Sequence, residues 1–169
     1  DVGVILDLAT HDIDAMHFVT GSTVTPVFAE TAQCAHKTCE DMLSGLMRFK
    51  SGEIGVLDVN WLSPQKLRQI SIVGEGGVLM ADYLTQDVYW YKNGNVNDTW
   101  TPATNFSGAV EGDVIKTYIP KKEPLRIEYE AFVGAVRDNL PSPIPGEEGR
   151  AALDIGLRLI EFGRNASAS

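Results

Sequence analysis

The chain is short of cysteine, of bases and of long apolar runs, and each shortage removes a class of protein. Cys34 and Cys39 are the only cysteines in 169 residues, far below the density of a disulfide scaffold. Both are expected to be reduced. No apolar run approaches the roughly 20 residues that span a bilayer, and no basic stretch with an apolar segment and a small-residue cleavage site opens the sequence. Lys and Arg number 14 against 23 Asp and Glu, a formal charge of −9, so the surface repels phosphate backbones and anionic lipid alike. A cytoplasmic protein with no nucleic-acid and no membrane partner is expected. No serine lies in a GxSxG context, which leaves a serine hydrolase unsupported.

Hydrophobic residues make up 44% and charged residues 22%, an ordinary globular balance that bounds the chain to one core rather than two comfortable domains. It begins at Asp1 and enters the apolar run VGVILDL without a lead-in, which reads as a piece of a longer protein.

The first helix is expected over Val4 to Gly21, closed by the glycine that favours a helix C-terminus. From Thr23 the β-branched and aromatic content rises. VTPVFAETAQCA, MLSGLMRFK, EIGVLDVNW, RQISIVG, GVLMADY and DVYWYKNG read as six strands, bounded by turn residues. Ser51 and Gly52 join one pair as a hairpin, and GEGG at Gly74 to Gly77 joins another. Thr99 to Lys122 holds Pro102, Gly108, Gly112 and Pro120 without steady periodicity, so it reads as an irregular, mobile excursion. Helices resume after Pro124, where Ile127, Ala131, Phe132, Ala135 and Val136 make one apolar stripe. PSPIPG breaks that helix. A last helix from about Glu147 to Gly163 gathers Ala152, Gly156, Leu159, Ile160 and Gly163 on one side, small residues that permit close packing.

The order predicts an α+β fold: an open, mostly antiparallel sheet of about six strands with helices on one face. The second face needs a cover. GVLDVNW, GVLMADY and VYWY carry more apolar positions than a solvated face exposes, so a homodimer or homotetramer through the sheet face is expected.

The stretch ILDLATHDID concentrates chemistry. At 100° per residue, Asp7, His11 and Asp14 fall within roughly 60° of one another, opposite Ala9, Ile13 and Met16. One reading is a solvated polar face with an acid near the helix start. The other is a working pair, in which an imidazole accepts a hydroxyl proton and a carboxylate one turn away fixes its tautomer or holds substrate. A third is a metal-dependent hydrolase with Asp7, His11 and Asp14 as ligands. Cys34, His36 and Cys39 also lie close together, although a closed zinc site would need Glu40 or Asp41 as a fourth ligand.

The run GVILDLATHDIDAMHFVTG resembles the opening of the C-terminal domain of Gfo/Idh/MocA oxidoreductases, matching G…DxxxHDxD at Gly3, Asp7, His11, Asp12 and Asp14. MRFKSGEIGVLDVNW, ISIVGEGGVLMADY and PSPIPGEEGRAALDIGLRLIE extend the likeness in order and spacing. DLATHDID, EDM and VLDVNWLSP are most similar to the branch of the UDP-N-acetylglucosamine 3-dehydrogenase type.

The resemblance implies residues 1–169 to be a substrate-binding and oligomerisation domain of that C-terminal type, following a Rossmann domain that this chain lacks. It implies oxidation of a hydroxyl of a sugar or nucleotide sugar by NAD or NADP, with His11 as base and acid and Asp7 orienting the substrate or a lysine of the Rossmann domain. Gly3 would let the backbone pass near the cofactor ring. Asp14 joins the substrate side. The sheet face near Asp58 and Asn60 would border substrate, with Lys66 or Arg68 meeting a diphosphate; the residues alone read rather as a solvated strand end. Trp61, Tyr89, Trp90 and Tyr91 suit either sugar stacking or core and interface packing, while His17 and His36 read as structural.

The departure from the family is large. No GxGxxG follows a strand and no Glu-Lys-Pro motif is present, so the chain by itself is expected to be inactive. A non-catalytic dimerisation module is the rival reading.

Overall fold

The computed structural model describes residues 2–94 and 110–167. These form two compact units, one comprising residues 1–64 and 130–169 and the other residues 65–129. The first unit opens with a wide helical turn over Ile5–Ala9, in which the Thr10 amide reaches back to the Ile5 carbonyl. It continues as α1 (Thr10–Thr20). Gly21 ends the helix as expected, with φ at 60° and its amide bonded to the His17 carbonyl, a left-handed geometry that glycine adopts without a Cβ penalty.

Strands β1 (Val24–Ala32), β2 (Met42–Phe49) and β3 (Ile54–Asn60) form an antiparallel sheet in that order. The period of two is clean: Leu43, Gly45, Met47 and Phe49 point inward from β2, and Gly55, Leu57 and Val59 from β3. Such alternation locks register, since a slip of one residue would turn the apolar set outward. The β2–β3 hairpin closes with Gly52 at φ 112° and a Gly52 amide to Phe49 carbonyl bond, where Ser51 and Gly52 marked the turn.

Helix α3 (Gly146–Ser167) covers the inner face. Ala152, Ile155, Gly156 and Leu159 are buried, and a Cβ on Gly163 would lie 2.5 Å from Thr31 Cγ2. The small residues of the last helix thus do set its approach. Val4, Ile5, Ala9 and Ile13 complete one core with Leu43, Met47, Phe49, Leu57 and Leu159. The opposite sheet face stays open. Phe28, Leu46 and Val56 are paired across the three strands there, all exposed.

The second unit is an antiparallel meander of β4 (Gln69–Gly74), β5 (Gly77–Asp82), β6 (Asp87–Gly94) and β7 (Val110–Thr117). The described residues therefore hold seven strands in two sheets, where the sequence suggested about six in one. The α+β class and the antiparallel pairing hold. Strand β7 lies within the stretch read as irregular: Gly112 and three charged residues hide its period, and pairing with β6 from Val88↔Thr117 to Gly94↔Val110 supplies what propensity does not. The remainder of that stretch up to residue 109, and with it the expected mobility, lies outside the described residues.

Helix α2 (Pro124–Arg137) starts at its proline as predicted. Its stripe is uncovered, with Ile127, Phe132 and Val136 all exposed.

Leu159 has no exposed surface, so Leu159→Ala should destabilise the first unit by about 2–5 kcal/mol through lost contacts and a residual cavity. Urea unfolding at an unchanged slope measures it, and a loss below about 1 kcal/mol would contradict the packing.

Candidate functional site

The first helix begins on a buried acid. Glu40 is 8% exposed; its carbonyl accepts the Val4 amide at 2.9 Å and its Oε1 the Ile5 amide at 3.4 Å. Two donors that a helix start leaves unpaired are thereby met from a distant segment. Gly3 is the reason this fits. A Cβ there would fall 1.9 Å from Glu40 Oε1, so the glycine makes room for the carboxyl group within this chain.

Asp7 sits in the wide turn and His11 in α1. A turn closed by an i→i+5 bond carries one extra residue, which changes the phase between Asp7 and the residues after Thr10. The two side chains consequently have different surroundings. Asp7 Oδ2 accepts the Trp61 indole Nε1–H at 3.1 Å, a contact across 54 residues of sequence. His11 is exposed and lines, with Asp14, an open cleft of about 690 Å³ whose far side carries Ile144, Glu147 and Glu148. Among the described residues no hydrogen bond occupies the His11 ring.

Beside Asp7, Trp61 is held in several ways. Its backbone amide donates to the Asp41 carbonyl at 3.0 Å, and the His36 ring meets its face edge-on at 5.1 Å. Asp41 has no exposed surface. Its carboxylate accepts three successive amides, from Cys34 at 2.9 Å, Ala35 at 2.6 Å and His36 at 2.9 Å. The Cys34 amide above all, then those of His36 and Ala35, hold the carboxyl down from the usual 3.8 to about 2 against the opposing pull of burial.

The other candidates divide. Asn60 Oδ1 accepts the amides of Leu62 and Ser63 at 3.1 and 2.8 Å, which gives it a turn-closing duty after β3. Lys66 and Arg68 belong to the second unit, exposed in the segment before β4. Tyr89, Trp90 and Tyr91 lie on β6 of that unit, where the Lys116 ammonium covers the Tyr89 ring at 5.2 Å. His17 packs edge-on to Phe49 at 5.9 Å, with its Nε2 buried and without a partner among the described residues. Cys34, His36 and Cys39 do not form a metal-holding group with their neighbours, nor do Asp7, His11 and Asp14, among the described residues.

Sequence reasoning weighed Glu40 and Asp41 only as metal ligands and left Trp61 between stacking and packing. The alternation of β2 carried back one residue places Asp41 inward, whereas no local signal marks the burial of Glu40.

Residues 1–80 match the GFO/IDH/MocA C-terminal domain. The chain is 26% identical over 161 residues to myo-inositol 2-dehydrogenase of Thermotoga maritima, covering 91% of this chain and 45% of the relative. It is 25% identical over 160 residues to UDP-N-acetylglucosamine 3-dehydrogenase of Acidithiobacillus ferrooxidans, covering 94% and 48%. A solved structure of that Acidithiobacillus enzyme superposes with a TM-score of 0.79 at 23% identity over 94% of this chain and 48% of its own. A Bordetella pertussis dehydrogenase solved with NADH and UDP-GlcNAcA gives 0.67 at 21% identity, over 98% and 44%. At these identities the structures show a shared fold. The chain spans about half the length of the curated relatives it matches. No helix among the described residues is long and apolar enough to cross a membrane.

Asp41 gives a pH test with a defined sign. Its folded value lies below its unfolded one, so its contribution is fully present above about 3.8 and is lost as pH falls toward about 2. Unfolding midpoints of the native chain and Asp41→Asn should therefore differ most at mildly acidic to neutral pH and converge through that window. A gap that persists unchanged below it would contradict the ionised, amide-bound carboxylate.

Proposed function

We propose that this chain is the substrate-side half of an NAD(P)-dependent dehydrogenase that oxidises a hydroxyl of a sugar or nucleotide sugar. The observation that carries the reading is His11: an exposed imidazole, unoccupied by other described groups, at the mouth of a cleft and within the stretch that matches the family. A ring nitrogen of His11 takes the proton from the reacting hydroxyl as its carbon is oxidised, and returns it in the reverse direction. Asp7, held by Trp61, orients the hydroxyl-bearing group. Asp14, with Glu147 and Glu148, offers acceptors for further hydroxyls. Those three carboxylates also repel phosphate, so the cleft suits the polyol end of a substrate rather than a diphosphate.

Among the described residues, the strand-to-helix connection and Gly3 do not fit a dinucleotide. Residues 118–123, YIPKKE, join β7 to α2 as the strand-to-helix connection of the described chain, and they contain no glycine. The first α2 amides, of Leu125 and Arg126, already bond the Glu123 carboxylate at 3.2 and 2.6 Å, leaving no cradle for pyrophosphate. Gly3 is taken up with Glu40. The cofactor is therefore assigned to a Rossmann domain preceding this chain in the whole protein, with the chain alone inactive.

The exposed row of Phe28, Leu46 and Val56 supports a second copy on the open sheet face, as a homodimer or homotetramer. Leu46→Lys should shift sedimentation toward the monomer while leaving the inward alternation of β2 intact. An unchanged oligomer would move the interface elsewhere.

For the activity, His11→Ala in the whole protein should lower kcat by roughly 10²- to 10⁴-fold, the usual worth of a general base, with an unaltered melting temperature. Reduction of NAD or NADP by a panel of sugars and nucleotide sugars provides the assay. Full turnover without the imidazole would defeat the catalytic reading in favour of a purely structural domain.

A further inference from the structure

We propose that Trp61 is a positioning residue for Asp7, and that Asp41 fixes Trp61 from two sides, through its own carbonyl and through His36. The inference rests on the role proposed above for Asp7 and adds three residues that touch no substrate.

Asp7 is exposed, and an exposed carboxylate turns about two side-chain bonds unless something selects one rotamer. The described partner that does so is the indole Nε1–H of Trp61, at 3.1 Å. An indole has one donor and no acceptor, so its direction is fixed by the placement of the ring. That placement comes from Asp41. Its carbonyl accepts the Trp61 amide just where β3 has ended at Asn60 and the ladder no longer holds the chain.

The second hold is indirect. Residues 33–38 are exposed, and no buried apolar side chain anchors them. What orders them is the Asp41 carboxylate, gathering the amides of Cys34, Ala35 and His36. That fold of the backbone brings the His36 ring onto Trp61 at 5.1 Å with the planes at 61°, a favourable edge-to-face arrangement. The neighbouring Glu40 meanwhile fixes the start of the turn that carries Asp7. Donor and acceptor of the Trp61–Asp7 bond are thus both placed from the pair Glu40 and Asp41.

The test separates this inference from the reading beneath it. In the whole protein, Trp61→Phe keeps an aromatic ring for His36 and removes the indole donor along with part of the ring surface. It should lower kcat roughly 10- to 100-fold with KM changed less than about threefold, as expected for a misplaced group that acts in the transition state. His36→Ala should follow in the same direction, and His36→Phe should restore most of the rate, since the ring edge and not its basicity is used. Independently, the Trp61 indole resonance in nitrogen-resolved NMR of this chain should move on Asp7→Ala and on Asp41→Asn. Loss of activity in Asp7→Asn with full kcat in Trp61→Phe overturns the positioning role and leaves the proposed function standing. Full activity in Asp7→Asn overturns the positioning role together with the orienting part given to Asp7, while the dehydrogenase reading carried by His11 stands. An indole resonance indifferent to both substitutions overturns the link between Asp41, Trp61 and Asp7, whatever the kinetics.

Discussion

A carboxylate with no exposed surface survives in a fold only where donors replace the water it has lost. Asp41 meets that demand with three consecutive backbone amides, and Glu40 beside it with the amide of Ile5. Both groups act on backbone, so both fix the path of chain rather than a side-chain contact. One holds the segment after β1, the other the entry into the first helix. These two segments frame Asp7, and the order of the site depends on acids that do not belong to it.

Much of the architecture is legible in the sequence because its signals are local. The inward set of β2 and β3 follows from strict alternation, and the turns at Ser51–Gly52 and at Gly74–Gly77 follow from glycine chemistry. Gly21 and Pro124 mark helix ends by the same logic. The division into two sheets is not local: nothing in the pattern of β3 or β4 tells whether they pair, and they do not. Strand β7 is hidden for a related reason. VEGDVIKT has weak propensity, and its order comes from a ladder with β6 that only the tertiary structure reveals.

The candidate site divides along the same line. The sequence places Asp7, His11 and Asp14 on one helix face, and of these His11 and Asp14 share a cleft. Asp7 is readable as a candidate but not its surroundings. Projection on a straight helix assumes a constant angle per residue, and the wide turn over Ile5–Ala9 breaks that assumption between Asp7 and His11. Its partner Trp61 is 54 residues away, beyond any periodicity. Asn60, expected to face substrate, spends its carbonyl oxygen on the turn that follows β3. Outward-pointing polar residues at a strand end serve turns and ligands with the same side-chain chemistry, so composition does not separate the two.

The magnitudes explain why such a site needs a buried foundation. One hydrogen bond between exposed groups contributes about 0.5–1.5 kcal/mol net to stability, too little by itself to organise a loop against its entropy. Its value for catalysis is set differently, because a displacement near 1 Å can cost about 10²-fold in rate. A weak bond can hold that tolerance only if donor and acceptor are placed in advance by something stronger. In this chain the stronger elements are charge-assisted bonds to a fully buried carboxylate and the core beneath the first helix, with Ile5, Ala9 and Ile13 wholly enclosed. Trp61 and Asp7 then need only a small bias to meet. The cleft beside His11 follows the opposite rule, with exposed acids and an open mouth, and under the proposed function a group that receives a substrate proton has reason to remain unpaired until the substrate arrives.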